Sequence, residues 1–258
     1  MSSEHAPLET KIEVSQCSVW YGTAQALRNA SFEVASKTTT ALIGAGGSGK
    51  TTLLRALNRL HDLNPDARVQ GSIKIDGAEI LGPGVDTTRL RCNVGMIFSR
   101  PTMLPHSIAD NVAFGLFAQG VHDKRTIDDA IERALRRTSL WERLSGDLNA
   151  PAATLPPDVA QRLCIARALT IDPDILLFDD PASALDPIAA LAIEDTIARL
   201  RRDHTILFAT NDLQQAARLA DVTMYMANGE IVEMGDTPLI FNKPTDSRTE
   251  AFLAGRAS

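Results

Sequence analysis

At 258 residues, with 44% hydrophobic and 22% charged side chains, the chain suits one large α/β domain or a core with a subdomain. A formal net charge of −6 leaves no face-wide basic excess, which argues against a nucleic-acid binder, and no apolar run approaches the roughly 18 residues of a membrane span. Cys17, Cys92 and Cys164 are scattered without a C-x-x-C pair, so reduced thiols are expected rather than a zinc site or a disulfide framework. The opening stretch MSSEHAPLETK has neither a basic start nor an apolar core, and no secretory leader is expected.

Residues 11–43 alternate as strands do, through KIEVSQCSVW, SFEVA and TTTALI. The last of these runs, Thr39 to Ile43, enters Gly44-Ala45-Gly46-Gly47-Ser48-Gly49-Lys50-Thr51, which fits G-x-x-x-x-G-K-[ST]. Small residues there let successive backbone N–H groups turn onto phosphate oxygens. Lys50 reaches the outer phosphates and the Thr51 hydroxyl holds Mg²⁺. Leu53, Leu54, Leu57 and Leu60 follow at helical spacing within Thr52–Leu60, so Thr52 belongs to a helix whose positive end faces the anion. Residues 44–52 are therefore the expected nucleotide-binding loop.

Farther along, Ile73 to Gly77 ends in Asp-Gly, a turn signal, and residues 93–98 read as a further strand. From about 107 to 172 the rhythm becomes helical. Ile127, Ile131 and Leu135 recur every four residues among Asp128, Glu132, Arg136 and Arg137, a charge run expected to be a solvated face. Strands return at Ile175–Phe178 and Thr205–Ala209, with a helix from about Pro187 to Arg202 between them. Val222–Met226 and Glu230–Glu233 flank Asn228-Gly229, a hairpin signal. The apolar run Ile175-Leu176-Leu177-Phe178 ends in Asp179-Asp180. Alone, that is better read as a surface turn with two solvated acids. Beside the phosphate loop, it places Asp179 to share Mg²⁺ with Thr51, and Asp180 to orient an attacking water.

The order of these motifs, with QRLCIARAL at 161–169 and ILLFDDPASALDP at 175–187, resembles the ATP-binding subunit of an ABC transporter. The resemblance extends to the phosphate-import branch through LNRLHDLNPDARVQGSI, VGMIF, SIADNVAFG, LQQAARLAD and the tail from Gly229, and it runs from about Ile12 to Arg256. It implies an α/β fold: one P-loop NTPase of the ABC nucleotide-binding type over 1–258, with a helical subdomain and an antiparallel β subdomain. Its P-loop core would span about 11–98 and 173–258, and its helical insert about 99–172. It implies ATP and Mg²⁺, a second nucleotide-binding subunit in a head-to-tail homo- or heterodimer, and membrane permease subunits of an importer, the whole lying peripherally on the cytoplasmic face of the cell membrane. Tyr21 falls where the family stacks an aromatic ring on adenine, or else it is a packed strand-end residue. Ile108, Val112 and Phe114, with His106 and Asn111, fall where the family's permease helix docks; packing of the insert is the alternative for each.

The departures from the family pattern surround one reaction coordinate. Ser99 replaces a glutamine that reaches metal and water. Asp180 replaces a glutamate and is one methylene short, and a displacement of about 1 Å can cost on the order of a hundredfold. Asn211 replaces a histidine; it can hydrogen-bond a phosphate but carries no proton or positive charge. Leu155-Pro156-Pro157-Asp158-Val159 stands where the family has LSGGQ. Pro156 and Pro157 offer no N–H, and Asp158 puts a negative charge where the partner's phosphate would arrive, although proline and an acid are sound helix starts. Two functions remain open: a transport ATPase with weakened hydrolysis, and a nucleotide-binding pseudo-ATPase with a structural or regulatory role. A small-molecule kinase is disfavoured by the insert and the tail.

Overall fold

The computed structural model describes residues 9–256; the first eight residues of the stretch expected to carry no leader, and the last two residues of the chain, lie outside them. β1 (Thr10–Tyr21) and β2 (Ala24–Ala35) form an antiparallel pair that turns at Gly22. After β3 (Thr39–Ile43) and α1 (Lys50–Leu57) the chain rejoins them through β4 (Ala67–Ile75) and β5 (Ala78–Glu79), giving an antiparallel sheet in the order β2-β1-β4-β5. Asp76 and Gly77 turn between β4 and β5 at φ 50° and 74°, the left-handed conformation a two-residue hairpin turn demands.

α2 (Thr87–Asn93) leads into β6 (Val94–Ile97), and then come α3 (Ile108–Ala118), α4 (Lys124–Arg137), α5 (Trp141–Leu144) and α6 (Pro157–Leu169). β7 (Ile175–Asp179), α7 (Pro187–Leu200), β8 (Thr205–Ala209), α8 (Leu213–Leu219), β9 (Val222–Ala227) and β10 (Glu230–Asp236) follow, before α9 (Thr237–Asn242) and α10 (Ser247–Leu253). The second sheet runs β10-β9-β3-β8-β7-β6. Its strands are parallel except β10, which folds back on β9 across Asn228-Gly229.

The strand period of two separates two cores. Ile175 and Leu177 face the antiparallel sheet and α1, packing with Ile12, Val14, Ile73, Leu53, Leu54 and Leu57. Leu176 and Phe178 face the helices, with Ile108, Val112, Ile131, Leu135 and Leu163. Burial on both faces is why β7 reads as an unbroken apolar run, and each such side chain contributes roughly 1.5–3 kcal/mol relative to exposure. On α4 the apolar stripe Ile127, Ala130, Ile131, Ala134 and Leu135 is buried, while the Arg136 guanidinium reaches Glu132 at 2.8 Å on the outer face.

Because β3, β8 and β7 are parallel neighbours, their carboxyl ends lie along one edge of the sheet. The glycine-rich loop after β3, the two aspartates closing β7 and the turn after β8 meet there, the position at which open α/β sheets bind ligands.

Candidate nucleotide-binding site

The loop between β3 and α1 has glycine where the backbone requires it. A Cβ on Gly44 would lie 2.2 Å from the Met226 carbonyl oxygen, and one on Gly49, at φ 106°, would lie 2.8 Å from that of Ala26. At Gly46 and Gly47 a Cβ would meet nothing within 4 Å. The loop is thus packed tightly behind and open in front, a cradle for a group from outside the chain.

In front lies a groove of ≈ 380 Å³, lined by Tyr21, Ala26, residues 46–52, Asp179, Asp180, Ala209 and Asn211. That is within the usual range for small-molecule sites, about 300–1,000 Å³. Lys50 lies at its floor, donating to the carbonyls of Gly44 at 2.5 Å and Ala45 at 3.0 Å and to Asn211 Oδ1 at 3.2 Å. Thr51 Oγ1 donates to Asp179 Oδ1 at 2.7 Å, so a hydroxyl and a carboxylate converge as hard oxygen ligands for a small divalent cation would. The other end of the Asn211 amide donates to Asp180 Oδ2 at 3.1 Å. Asp180 sits at φ 53°, with its N–H donating to the Ala209 carbonyl at 3.0 Å.

Burial lowers the Lys50 ammonium from its ordinary value, against the opposing pull of Asp180 and Asp179. Burial likewise raises the Asp180 carboxyl; Lys50 pulls it down, Asp179 adds to the rise, and the Asn211 hydrogen bond reduces it. This is one cation among carboxylates, a balance suited to a polyphosphate that arrives with its own metal ion.

The sequence-predicted residues divide into two groups. Tyr21, Gly46, Gly47, Ser48, Gly49, Lys50, Thr51, Thr52, Asp179, Asp180 and Asn211 share the groove, with Gly44 and Ala45 supporting it from behind through their carbonyls. Ser99, Pro156, Pro157, Asp158 and Val159 do not line it. Ser99 follows β6 and is half-buried. Pro157 opens α6, Pro156 caps it without a side-chain bond, and Val159 is fully buried. The Asp158 carboxylate is held by Arg162 at 3.0 Å and Arg143 at 3.5 Å.

Of the two readings open for the apolar residues of 106–114, the structure favours packing for Ile108 and Val112. Ile108 and Val112 are 1% and 0% exposed and pack inside the insert. Asn111 is fully buried, donating to the carbonyls of Leu104, His106 and Ser107. Phe114 is exposed, and Phe98 and Phe117, which the sequence reading did not single out, are exposed too.

Other supporting residues also escaped that reading. Gln161 is buried and its amide donates to the Phe98 carbonyl at 2.7 Å, tying α6 to the end of β6. Gly229 donates to the Ser48 carbonyl at 3.0 Å, bracing the glycine-rich loop from the β9–β10 turn. Only the Asp158–Arg162 pair had a local signal, its i,i+4 spacing on a helix.

A family model described as ABC transporter matches residues 27–183. The phosphate import ATP-binding protein PstB 1 of Gloeobacter violaceus is 45% identical over 256 residues, covering 98% of this chain and 96% of the relative. The PstB proteins of Mycolicibacterium smegmatis and Mycoplasma capricolum are each 44% identical, covering 95% and 97% of this chain and 98% and 94% of their own lengths. Among solved structures, cbiO1 from Clostridium perfringens, part of the ABC transporter complex cbiONQ, superposes with a TM-score of 0.79. The overlay covers 96% of this chain and 97% of that one at 24% identity, a likeness of fold.

Proposed function

Because the chain belongs to the ABC transporter family, we propose that it is the ATP-binding subunit of an importer, binding MgATP through residues 44–52 and hydrolysing it slowly. The observation that carries this reading is the pairing of an intact phosphate loop, with Thr51 against Asp179 at 2.7 Å, with altered groups at the reacting end of the same groove. Phosphate is the proposed cargo, after the names of the full-length relatives.

In this reading Tyr21 offers a ring face to the base, the loop N–H groups and Lys50 hold the phosphates, and Thr51 and Asp179 hold Mg²⁺. The metal, when bound, supplies charge neutralisation at the outer phosphates. Asp180 is the group placed to orient water. Its carboxylate is tied to Asn211 and ends one methylene short of a glutamate's reach.

The chain is proposed to act as one nucleotide-binding unit, with a core of about 11–98 and 173–258 and a helical insert of about 99–172. It would pair with a second nucleotide-binding subunit and lie peripherally on permease subunits at the cytoplasmic face of the membrane. Among the described residues no helix is long and apolar enough to cross a membrane, in keeping with a peripheral position. The exposed Phe98 and Phe114 border a cavity of ≈ 240 Å³ with Arg100, Thr102 and Arg167, the surface proposed to receive the permease.

A second reading, a pseudo-ATPase that binds nucleotide without turnover, is favoured by the start of α6. With Arg162 and Arg143 committed to Asp158, and prolines at 156 and 157, that helix end presents few free donors to a partner's phosphate. Steady-state phosphate release, measured beside MgATP affinity with and without permease subunits, separates the two. Permease-stimulated turnover supports the first reading, and tight binding with no stimulated release supports the second.

A further inference from the structure

Asn211 lies between the two charged groups that face the phosphate loop. Its Oδ1 accepts from Lys50 Nζ at 3.2 Å and its Nδ2 donates to Asp180 Oδ2 at 3.1 Å. An amide has one donor end and one acceptor end, and these partners fix which end points where. Turned over, it would set its NH₂ against the ammonium and its carbonyl against the carboxylate.

The neighbouring carboxylates are already committed. Asp179 accepts from Thr51, Asp212 accepts from the N–H groups of Gln214 and Gln215 at the start of α8, and Glu194 is paired with Arg218. Among the described residues, Asn211 is the side chain that donates to the Asp180 carboxylate. The amide therefore presents its acceptor end to whatever Lys50 holds.

A phosphate-loop lysine reaches the two outer phosphates of a nucleoside triphosphate, while the loop N–H groups hold the inner ones. A diphosphate thus ends among donors. A triphosphate would add a terminal group held by Lys50, whose oxygens would then face Asn211 Oδ1 and the Asp180 carboxylate. To accommodate it, Asn211 would swing away and give up its bond to Asp180.

Resting on the nucleotide reading above, we propose that Asn211 is a specificity-determining residue that biases this groove toward nucleoside diphosphate over triphosphate. Loss of one hydrogen bond, or one acceptor–acceptor contact in its place, corresponds to roughly tenfold in affinity.

Calorimetry on the full chain with MgADP and with a non-hydrolysable MgATP analogue tests this, using wild type, Asn211→Ala and Asn211→Asp. Residue 211 is exposed, so neither change opens the core. Asn211→Ala removes the facing acceptor and should tighten the triphosphate about tenfold, with MgADP changing less than about twofold. Asn211→Asp adds a second acceptor and a charge, and should weaken the triphosphate by about tenfold or more. A triphosphate-to-diphosphate ratio that Asn211→Ala leaves unchanged overturns the inference while nucleotide binding stands. Equal loss of both ligands in Asn211→Ala overturns it as well. Failure of the wild type to bind either nucleotide overturns the nucleotide reading itself, and this inference with it.

Discussion

At the residue scale the groove is proposed to separate binding from chemistry. Lys50 donates to two loop carbonyls and to Asn211, and a phosphate would take over those bonds. Lys50→Ala should therefore weaken MgATP by about a hundredfold or more in calorimetry, since a charge-assisted contact is worth about 1.5–3 kcal/mol and more than one is lost. An unchanged affinity would place the nucleotide elsewhere. Asp180→Glu restores reach but leaves Asn211, Ser99 and the start of α6 as they are. Phosphate release by that variant should stay within about tenfold of wild type, because catalysis by groups that act as a unit is not restored one residue at a time. Recovery to the ordinary range of about 1 s⁻¹ or faster would mean that the missing methylene was the whole lesion. The motif from Gly44 to Thr51 was legible because its spacing is local. The Lys50–Asn211–Asp180 chain was not, because it joins positions 161 and 31 residues apart that only the β3-β8-β7 order brings together.

At the scale of elements, the insert holds its shape through Asn111. This buried side chain bonds the carbonyls of Leu104, His106 and Ser107 and accepts from the Leu104 N–H at 2.9 Å and Arg167 at 3.3 Å. Asn111→Ala strands several buried polar groups and should cost roughly 2–4 kcal/mol in denaturant unfolding. MgADP affinity should change little, because the groove residues belong to other elements. A loss below about 0.5 kcal/mol would mean that water replaces the amide freely. Strand and helix periods made most strands, α1, the helical stretch of the insert and α7 readable, and dipeptide signals marked the Asp76-Gly77 and Asn228-Gly229 turns, whereas α2, β5, α8, α9 and α10 were not read. They did not show which side of α3 faces inward. Ile108 and Val112, for which docking and packing were both open, are taken up by the core formed with α4 and α6, while Phe114 is left outside. Periodicity gives a helix an apolar face but does not say what covers it.

At the scale of the whole molecule, the exposed Phe98, Phe114 and Phe117 fit a chain that works on a larger assembly. Co-expressed with permease subunits of a phosphate importer, the wild type should co-purify, and Phe114→Asp should reduce the recovered complex several-fold without changing MgADP affinity. Association undiminished by that charge would move the docking surface elsewhere. Family and layer order were legible over nearly the full chain because motif order survives when single catalytic positions drift. The turnover rate was not, since it depends on sub-ångström placement around a γ-phosphate. A single-turnover experiment, with the chain in excess over MgATP, tests most directly the claim that binding persists while hydrolysis is weakened. The prediction is saturable retention of nucleotide, with conversion to ADP at least about a hundredfold slower than 1 s⁻¹. Conversion at about 1 s⁻¹ or faster, or no retention at all, would contradict it.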